Sequence, residues 1–339
     1  MEALNYLKKS ITEKKHIVIT MHHRPDGDAL GSALALAQLC KLYGGEVSVI
    51  SPSVYPNFLA WLPGIEEVII GEKQREEAAF LVQRAEVIFC LDFGQYSRLG
   101  AMADLVQRAK GDKIIIDHHA GVPDPAKVIF CEPDVPATAL LLYDLFVAVG
   151  LAPAIDKNIA VCLYVGLATD TNFFTTAHTT IAAHLVAAKL IGKGIDVGWV
   201  SFACQGNNPH NKMRFLANAI LHRLTVDEKN QFAFFAIPRK DIMHFRLQSG
   251  DTGGLVNYAL NLQNVLVAVL LTEQKNDVRL SFRSLGDNNV STLAATHFAG
   301  GGHKNAAGGI SSLSLEATAA QLTKQLSEWK KTPFVNLYA

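Results

Sequence analysis

The sequence is short of charge and has no surplus of either sign. Charged residues make up 18% of 339, and 31 Lys and Arg balance 31 Asp and Glu. A protein that coats long nucleic acid by displacing counterions is normally basic. Long-duplex DNA binding is therefore not expected, although a short oligonucleotide in a local pocket is compatible with zero net charge. Cysteine is scarce as well. The five, at 40, 90, 131, 162 and 204, form no C-x-x-C pair and mostly lie inside apolar runs. That excludes a disulfide framework and a structural zinc site, and points to buried thiols in a reducing compartment. No apolar run is long enough for a membrane span, because the region from Ala137 onward is broken by Asp144, Gly150, Pro153 and Asp156. The opening MEALNYLKKSITEKK lacks the apolar core of a signal peptide, so a cytoplasmic location is expected.

What is abundant is apolar surface. Hydrophobic residues make up 49% of the chain, enough for a large core, and the length suits two domains. Strand-like runs at His16–Thr20, Glu86–Leu91 and Lys113–Ile116 each end in acidic or histidine residues and are each followed by a helix-like segment. The layout is that of an N-terminal doubly wound parallel sheet, an α/β domain with its site along one edge. Further strands are expected at Glu46–Ile50 and Glu67–Ile70, and helices at Ala29–Tyr43, Glu72–Arg84, Ala101–Ala109, Ala137–Val149, Asn158–Thr169 and Thr180–Leu190. Residues 196–221 read as a linker and connecting helix. Beyond them strands (Gln231–Ile237, Val265–Thr272, Val278–Arg283) and helices (Gly253–Leu262, Val290–His297, Glu316–Trp329) make a smaller α+β domain over 222–332, leaving 1–195 as the first.

The stretch Met21–Ser32, MHHRPDGDALGS, organises the rest. Asp26 and Asp28 flank a glycine between a strand and a helix, and can face one point without burying unpaired charge if a cation sits between them. A bland alternative makes Asp28 only the N-cap of the following helix. Gathered along the chain, His22, Asp26, Asp28, Asp92, His118, His119 and Asp170 form an oxygen- and imidazole-rich set without thiolate. That composition favours Mn, Fe or Mg. It exceeds what one ion needs and suits two, about 3.5–4 Å apart, as used in phosphate ester hydrolysis.

In order along the chain stand H-x-R-P-D-G-D-A-x-G-S, an Asp after the next apolar strand, D-H-H, D-T, and the run Gly300-Gly-Gly-His-Lys-Asn-Ala-Ala-Gly308 with Arg283-Ser284 upstream. This series resembles the motifs of the DHH phosphoesterase superfamily with its C-terminal DHHA1 domain. In its length the chain is similar to the NrnA-type oligoribonuclease/pAp phosphatase branch. The resemblance implies one metal held by His22, Asp26 and Asp92, and a second by Asp28, Asp92, His118 and Asp170. Asp92 would bridge, and a hydroxide between the ions would attack phosphorus. It implies that His119 binds the phosphate or protonates the leaving oxygen, while Asp117 orients a neighbouring histidine. His23 falls at a variable position, and Arg98 is left open between structure and function. In the second domain Arg283, Ser284, Gly301, Gly302, His303 and Lys304 are the expected substrate contacts, the glycines forming a turn that offers N–H groups to an anion. Asn172 departs from the glycine common after D-T.

These expectations converge on a two-Mn²⁺ phosphoesterase (Mg²⁺ or Fe²⁺ as alternatives) with its site in the cleft between domains. It would cut short RNA to mononucleotides and dephosphorylate pAp, with a homodimer as the assembly considered. Rival readings are a phosphodiesterase for linear or cyclic dinucleotides, a polyphosphatase, and a non-catalytic nucleotide-binding regulator.

Overall fold

The apolar runs of the first half pair as a six-stranded parallel sheet in the computed structural model, which describes residues 1–332 apart from 177 and 249. Its strands are β1 (His16–Met21), β2 (Glu46–Ser51), β3 (Ile69–Ile70), β4 (Val87–Leu91), β5 (Asp112–Asp117) and β6 (Val128–Cys131). The helices around them are α1 (Glu2–Thr12), α2 (Gly27–Leu42), α3 (Arg75–Arg84), α4 (Ala103–Arg108), α5 (Thr138–Ala148), α6 (Lys157–Asp170), α7 (Ile181–Ile191) and α8 (Val197–Ser201). Successive strand residues serve opposite layers. Ile17, Ile19, Phe89 and Leu91 pack with α2, α5 and α6, while Val18, Ile88 and Cys90 pack with α3 and α4. Burial on both faces is why these strands read as continuous apolar runs.

Strand order is β3-β2-β1-β4-β5-β6. The chain runs outward from β1 in one direction, then returns to β4 and runs outward in the other. The carboxyl ends of β1 and β4 therefore flank the point where the order reverses, the crevice in which open α/β sheets bind ligands. The short β6 was not anticipated. It has four residues, follows two prolines, and lies at the sheet edge with Ile129 exposed.

Helices α2 and α6 cross closely because three glycines thin the interface. A Cβ on Gly31 would lie 2.4 Å from the Cys162 carbonyl, and one on Gly166 would lie 2.9 Å from Asp28 Oδ1 of α2. A Cβ on Gly27 would meet the Thr169 side chain at 2.3 Å. The crossing brings the amino end of α2, with Asp28, against the carboxyl end of α6, with Asp170.

A compact unit ends at Asn207 and a second begins at Asn208, inside the stretch read as a linker. Within 196–221, α8 and the turn after it join the first unit, and α9 (His210–His222) joins the second. The second unit adds α10 (Arg239–His244), α11 (Leu255–Leu260), α12 (Val290–His297) and α13 (Leu315–Glu328). Its strands are β7 (Leu224–Asp227), β8 (Phe232–Ile237), β9 (Val267–Glu273), β10 (Val278–Ser284), β11 (Gly301–His303) and β12 (Ala306–Ser311), in sheet order β11-β12-β10-β9-β8-β7. The glycine run, read from the sequence as a turn, forms an antiparallel pair, β11 with β12, turning at Lys304-Asn305. Gly302 takes φ +144°, and a Cβ there would lie 2.6 Å from the Ala306 carbonyl, so the two strands meet where a side chain has no room. Among the described residues no helix is long and apolar enough to cross a membrane.

Gly31→Ala should force α2 and α6 apart, at a cost of about 1–3 kcal/mol from overpacking. Thermal unfolding should show the loss, and calorimetry should show weaker binding of divalent cations, because Asp28 and Asp170 ride on the two helices. Unchanged stability would mean that the crossing relaxes without strain.

Candidate metal centre

His22 follows β1 and Asp92 follows β4. Their side chains meet across the crevice, His22 Nε2 lying 3.3 Å from Asp92 Oδ2 and 3.8 Å from Asp26 Oδ2. His22 Nε2 is nonetheless a buried atom without a hydrogen bond, while Nδ1 is 3.1 Å from the His23 carbonyl. An imidazole whose one nitrogen is fixed by a backbone carbonyl, and whose other points unbonded at carboxylates, is oriented as metal-ligating histidines are.

His118, after β5, is likewise turned by a backbone carbonyl so that its other nitrogen faces carboxylates. Its Nδ1 is 3.0 Å from the Val135 carbonyl, and its Nε2 lies 3.5 Å from Asp92 Oδ1, 3.4 Å from Asp170 Oδ2 and 3.7 Å from Asp28 Oδ2. The ligand atoms of His22, Asp26 and Asp92 lie within 4.8 Å of one another, as do those of Asp28, Asp92 and His118. Asp92 belongs to both sets. Its backbone takes φ 62°, a left-handed conformation that Asp tolerates better than most residues. The Arg98 guanidinium donates to the Asp92 carbonyl at 3.3 Å, and the Arg98 carbonyl accepts from the His23 N–H at 2.7 Å. Arg98 thereby clasps the two loops that carry His22 and Asp92.

The N-cap reading of Asp28 is corrected. Asp26 caps α2, its Oδ1 accepting from the N–H groups of Asp28 and Ala29 at 3.0 and 3.1 Å. Asp28 instead caps α5, accepting from Thr138 N at 2.6 Å and Ala139 N at 2.9 Å. Thr138 also donates its hydroxyl to Asp92 Oδ1 at 2.9 Å. Sequence reasoning missed Thr138, although a signal existed. Ala137 stands where α5 needs a cap and cannot provide one, so another side chain must.

Asp117 accepts from the N–H of His119 at 3.2 Å and lies 2.8 Å from its Nδ1, which fixes the orientation of that ring. His119 Nδ1 is also 3.6 Å from Asp92 Oδ1. In the second unit Arg283 and Ser284 point to opposite faces of β10. Ser284 is buried, donating to the Asn288 carbonyl at 2.5 Å and accepting from Asn305 Nδ2 at 2.9 Å, so its hydroxyl is engaged in holding a loop. Lys304 pairs with Asp287 at 2.5 Å. Gly301, Gly302 and His303 share β11.

The electrostatics of the first unit fit divalent cations. Burial, then Asp92, Asp170 and Asp26, push the Asp28 carboxyl well above its ordinary range. Burial also disfavours charge on Asp92, but His22, His119 and His118 hold its carboxyl below the usual range. Burial opposes protonation of His22, yet Asp92 and Asp26 raise it to about 9. Without metal, protons on histidine balance the carboxylates. A cation does the same and leaves Nε2 deprotonated to ligate it.

A sequence profile for the N-terminal domain of the DHH family matches residues 16–167, and one for the DHHA1 domain matches residues 230–332. The crystal structure of an exopolyphosphatase-related protein from Bacteroides fragilis superposes with a TM-score of 0.90 at 31% identity, covering 96% of both chains. The chain belongs to the DHH family. Among curated relatives of this DHH protein, the bifunctional oligoribonuclease and PAP phosphatase NrnA of Thermus thermophilus is 29% identical over 86% of this chain and 83% of its own. The probable enzyme of the same name from Streptococcus mutans is 25% identical over 91% and 93%. As a DHH protein with relatives of this kind, the chain is a metal-dependent phosphoesterase.

Because His22 is protonated below about pH 9 in the metal-free protein, divalent cations should displace a proton near neutral pH. Affinity should rise with pH and level off above that value. Calorimetric titration in buffers of different ionisation enthalpy measures the proton released. A binding enthalpy independent of buffer would contradict the assignment of His22 as a ligand.

Proposed function

We propose that this DHH protein hydrolyses short RNA oligonucleotides to mononucleotides and removes the 3′-phosphate of pAp, using two Mn²⁺ ions. The observation that carries the reading is Asp92, shared by two overlapping ligand sets at the switch point of the sheet. His22, Asp26 and Asp92 would hold one ion; Asp28, Asp92, His118 and Asp170 the other. The donors are oxygen and imidazole, without thiolate, which suits Mn²⁺ better than a structural zinc. When bound, such a pair supplies a nucleophile at neutral pH and neutralises charge on a phosphate ester.

The protein's own groups supply the rest. Asp117 holds His119 by Nδ1, so Nε2 is the nitrogen that exchanges a proton with the leaving oxygen. Thr138 and the first N–H groups of α5 hold Asp92 and Asp28 in place. Arg283, His303 and the N–H groups of Gly301 and Gly302 would take a phosphate or base of the substrate, separating its capture from the chemistry. The names of the curated relatives support the substrate class. A polyphosphatase is the second reading, favoured by the name of the Bacteroides fragilis protein.

The test compares kcat/KM on RNA of graded length, pAp, pApA, cyclic di-AMP and polyphosphate, after chelation and restoration with Mn²⁺ or Mg²⁺. Short RNA with Mn²⁺ should be turned over best. Faster turnover of polyphosphate would replace this reading, and faster turnover of dinucleotides alone would narrow it. Turnover of none would leave a nucleotide-binding regulator. Asp92→Asn should be the most damaging ligand substitution. His119→Ala should keep its metal while kcat falls roughly 10²–10⁴-fold, as for loss of a general acid. Loss of metal in that variant would make His119 a ligand instead.

A further inference from the structure

The second sheet carries a pattern that this function uses only in part. Along β10 the odd and even residues differ strictly: Val278, Leu280, Phe282 and Ser284 are buried, and Arg279, Ser281 and Arg283 are half-buried on the opposite face. On that opposite face, side chains of α9 and α11 pack with Ala233, Phe235 and Ile237 of β8 and Ala268 and Leu270 of β9.

Register arranges the residues beyond β9 in rows. Arg283 pairs with Ala306 and Ala306 with His303; Ser281 pairs with Gly308 and Gly308 with Gly301; Arg279 pairs with Ile310. Directly paired residues share a face. The middle row is almost bare. A Cβ on Gly301 would meet nothing within 4 Å, and one on Gly308 only the Leu280 carbonyl at 3.8 Å. Neither glycine has a positive φ, so neither packing nor backbone conformation requires it. Together they leave a floor bare but for Ser281 between the Arg283 row and the Arg279 row. Arg279 has no carboxylate partner among the described residues, and its buried Nε makes no hydrogen bond.

We propose that this trough seats the backbone of a single-stranded oligonucleotide, with Arg279 binding a phosphate beyond the one taken by Arg283. The proposal rests on the phosphoesterase reading above and on Arg283 as its nearer phosphate contact. Four residues of strand span about 13 Å, about two internucleotide steps of an extended strand. Ser281 then lies under the intervening phosphate, and Ile310, 47% exposed, offers apolar surface beside Arg279. The planar fork of arginine matches phosphate oxygens two at a time. The trough reads length: a dinucleotide ends before Arg279, and a longer chain reaches it.

The experiment compares Arg279→Ala with wild type on pApA and on 5′-phosphorylated pentaadenylate, as initial rates over a range of salt. The value of kcat/KM for pApA should hold, because pApA is too short to reach Arg279. That for the pentanucleotide should fall about tenfold, as for one lost charge-assisted contact. Its salt dependence should flatten by about 0.7 in the log–log slope, the share of one phosphate on a single strand. Gly308→Val, which fills the floor, should impair the pentanucleotide selectively while the melting temperature holds. Equal losses on both substrates, or no loss on the pentanucleotide, would overturn the trough while wild-type turnover of RNA upheld the function. Wild type that cleaves neither substrate would overturn both.

Discussion

Two carboxylates buried side by side set the terms for the rest of the first unit. Asp28 and Asp92 are each 1% exposed. A buried charge without compensation costs several kcal/mol, far more than one hydrogen bond returns. Each compensation found here also fixes a structural element. The first N–H groups of α5, at the positive end of its dipole, bind Asp28 and so dock α5 against α2. Thr138 ties Asp92 to the same helix. His22 and His118 turn their Nε2 atoms toward the carboxylates because backbone carbonyls hold the other nitrogens. What remains is negative charge facing two imidazoles, a demand that a divalent cation meets.

The sheet order and the helix crossing make this cluster possible. Parallel strands put every carboxyl end on one edge, and the reversal between β1 and β4 opens a crevice there. Asp28 and Asp170 reach that crevice from helices, at opposite ends of their respective segments. They meet only because Gly27, Gly31 and Gly166 let the helix axes approach closely. The glycine of the D-G-D motif thus serves packing against Thr169 as much as the turn itself.

The parallel sheet was legible because both of its faces are covered, which leaves uninterrupted apolar runs ending in polar residues. The candidate cluster could be read because His22, Asp92, His118 and His119 follow strand ends, while Asp28 and Asp170 lie at helix ends beside them. The rest depends on contacts distant in sequence. Asp28 as the cap of α5 involves a partner 110 residues away, so local rules could offer it only as a cap of α2. The resemblance grouped Ser284 with Arg283 as a substrate contact, yet neighbouring strand residues face opposite sides. The edge strands β6 and β7 are too short to show a period. The glycine run hid a strand pair because glycine carries no β signal, and its pairing is set by β10 and β12.

His118 and His119 show how little sequence alone can divide labour between like residues. They are adjacent, and their rings lie 4.7 Å apart. Their partners separate them. The Nδ1 of His118 meets a neutral carbonyl and its Nε2 faces three carboxylates. The Nδ1 of His119 instead meets the Asp117 carboxylate at 2.8 Å. His118 is 3% exposed, whereas the His119 side chain keeps 27% of its surface open. A ligand gains from being sealed in and orientated; a proton donor must reach the substrate. The same residue type at consecutive positions is therefore set in two different environments, and what separates them is the acceptor behind each Nδ1.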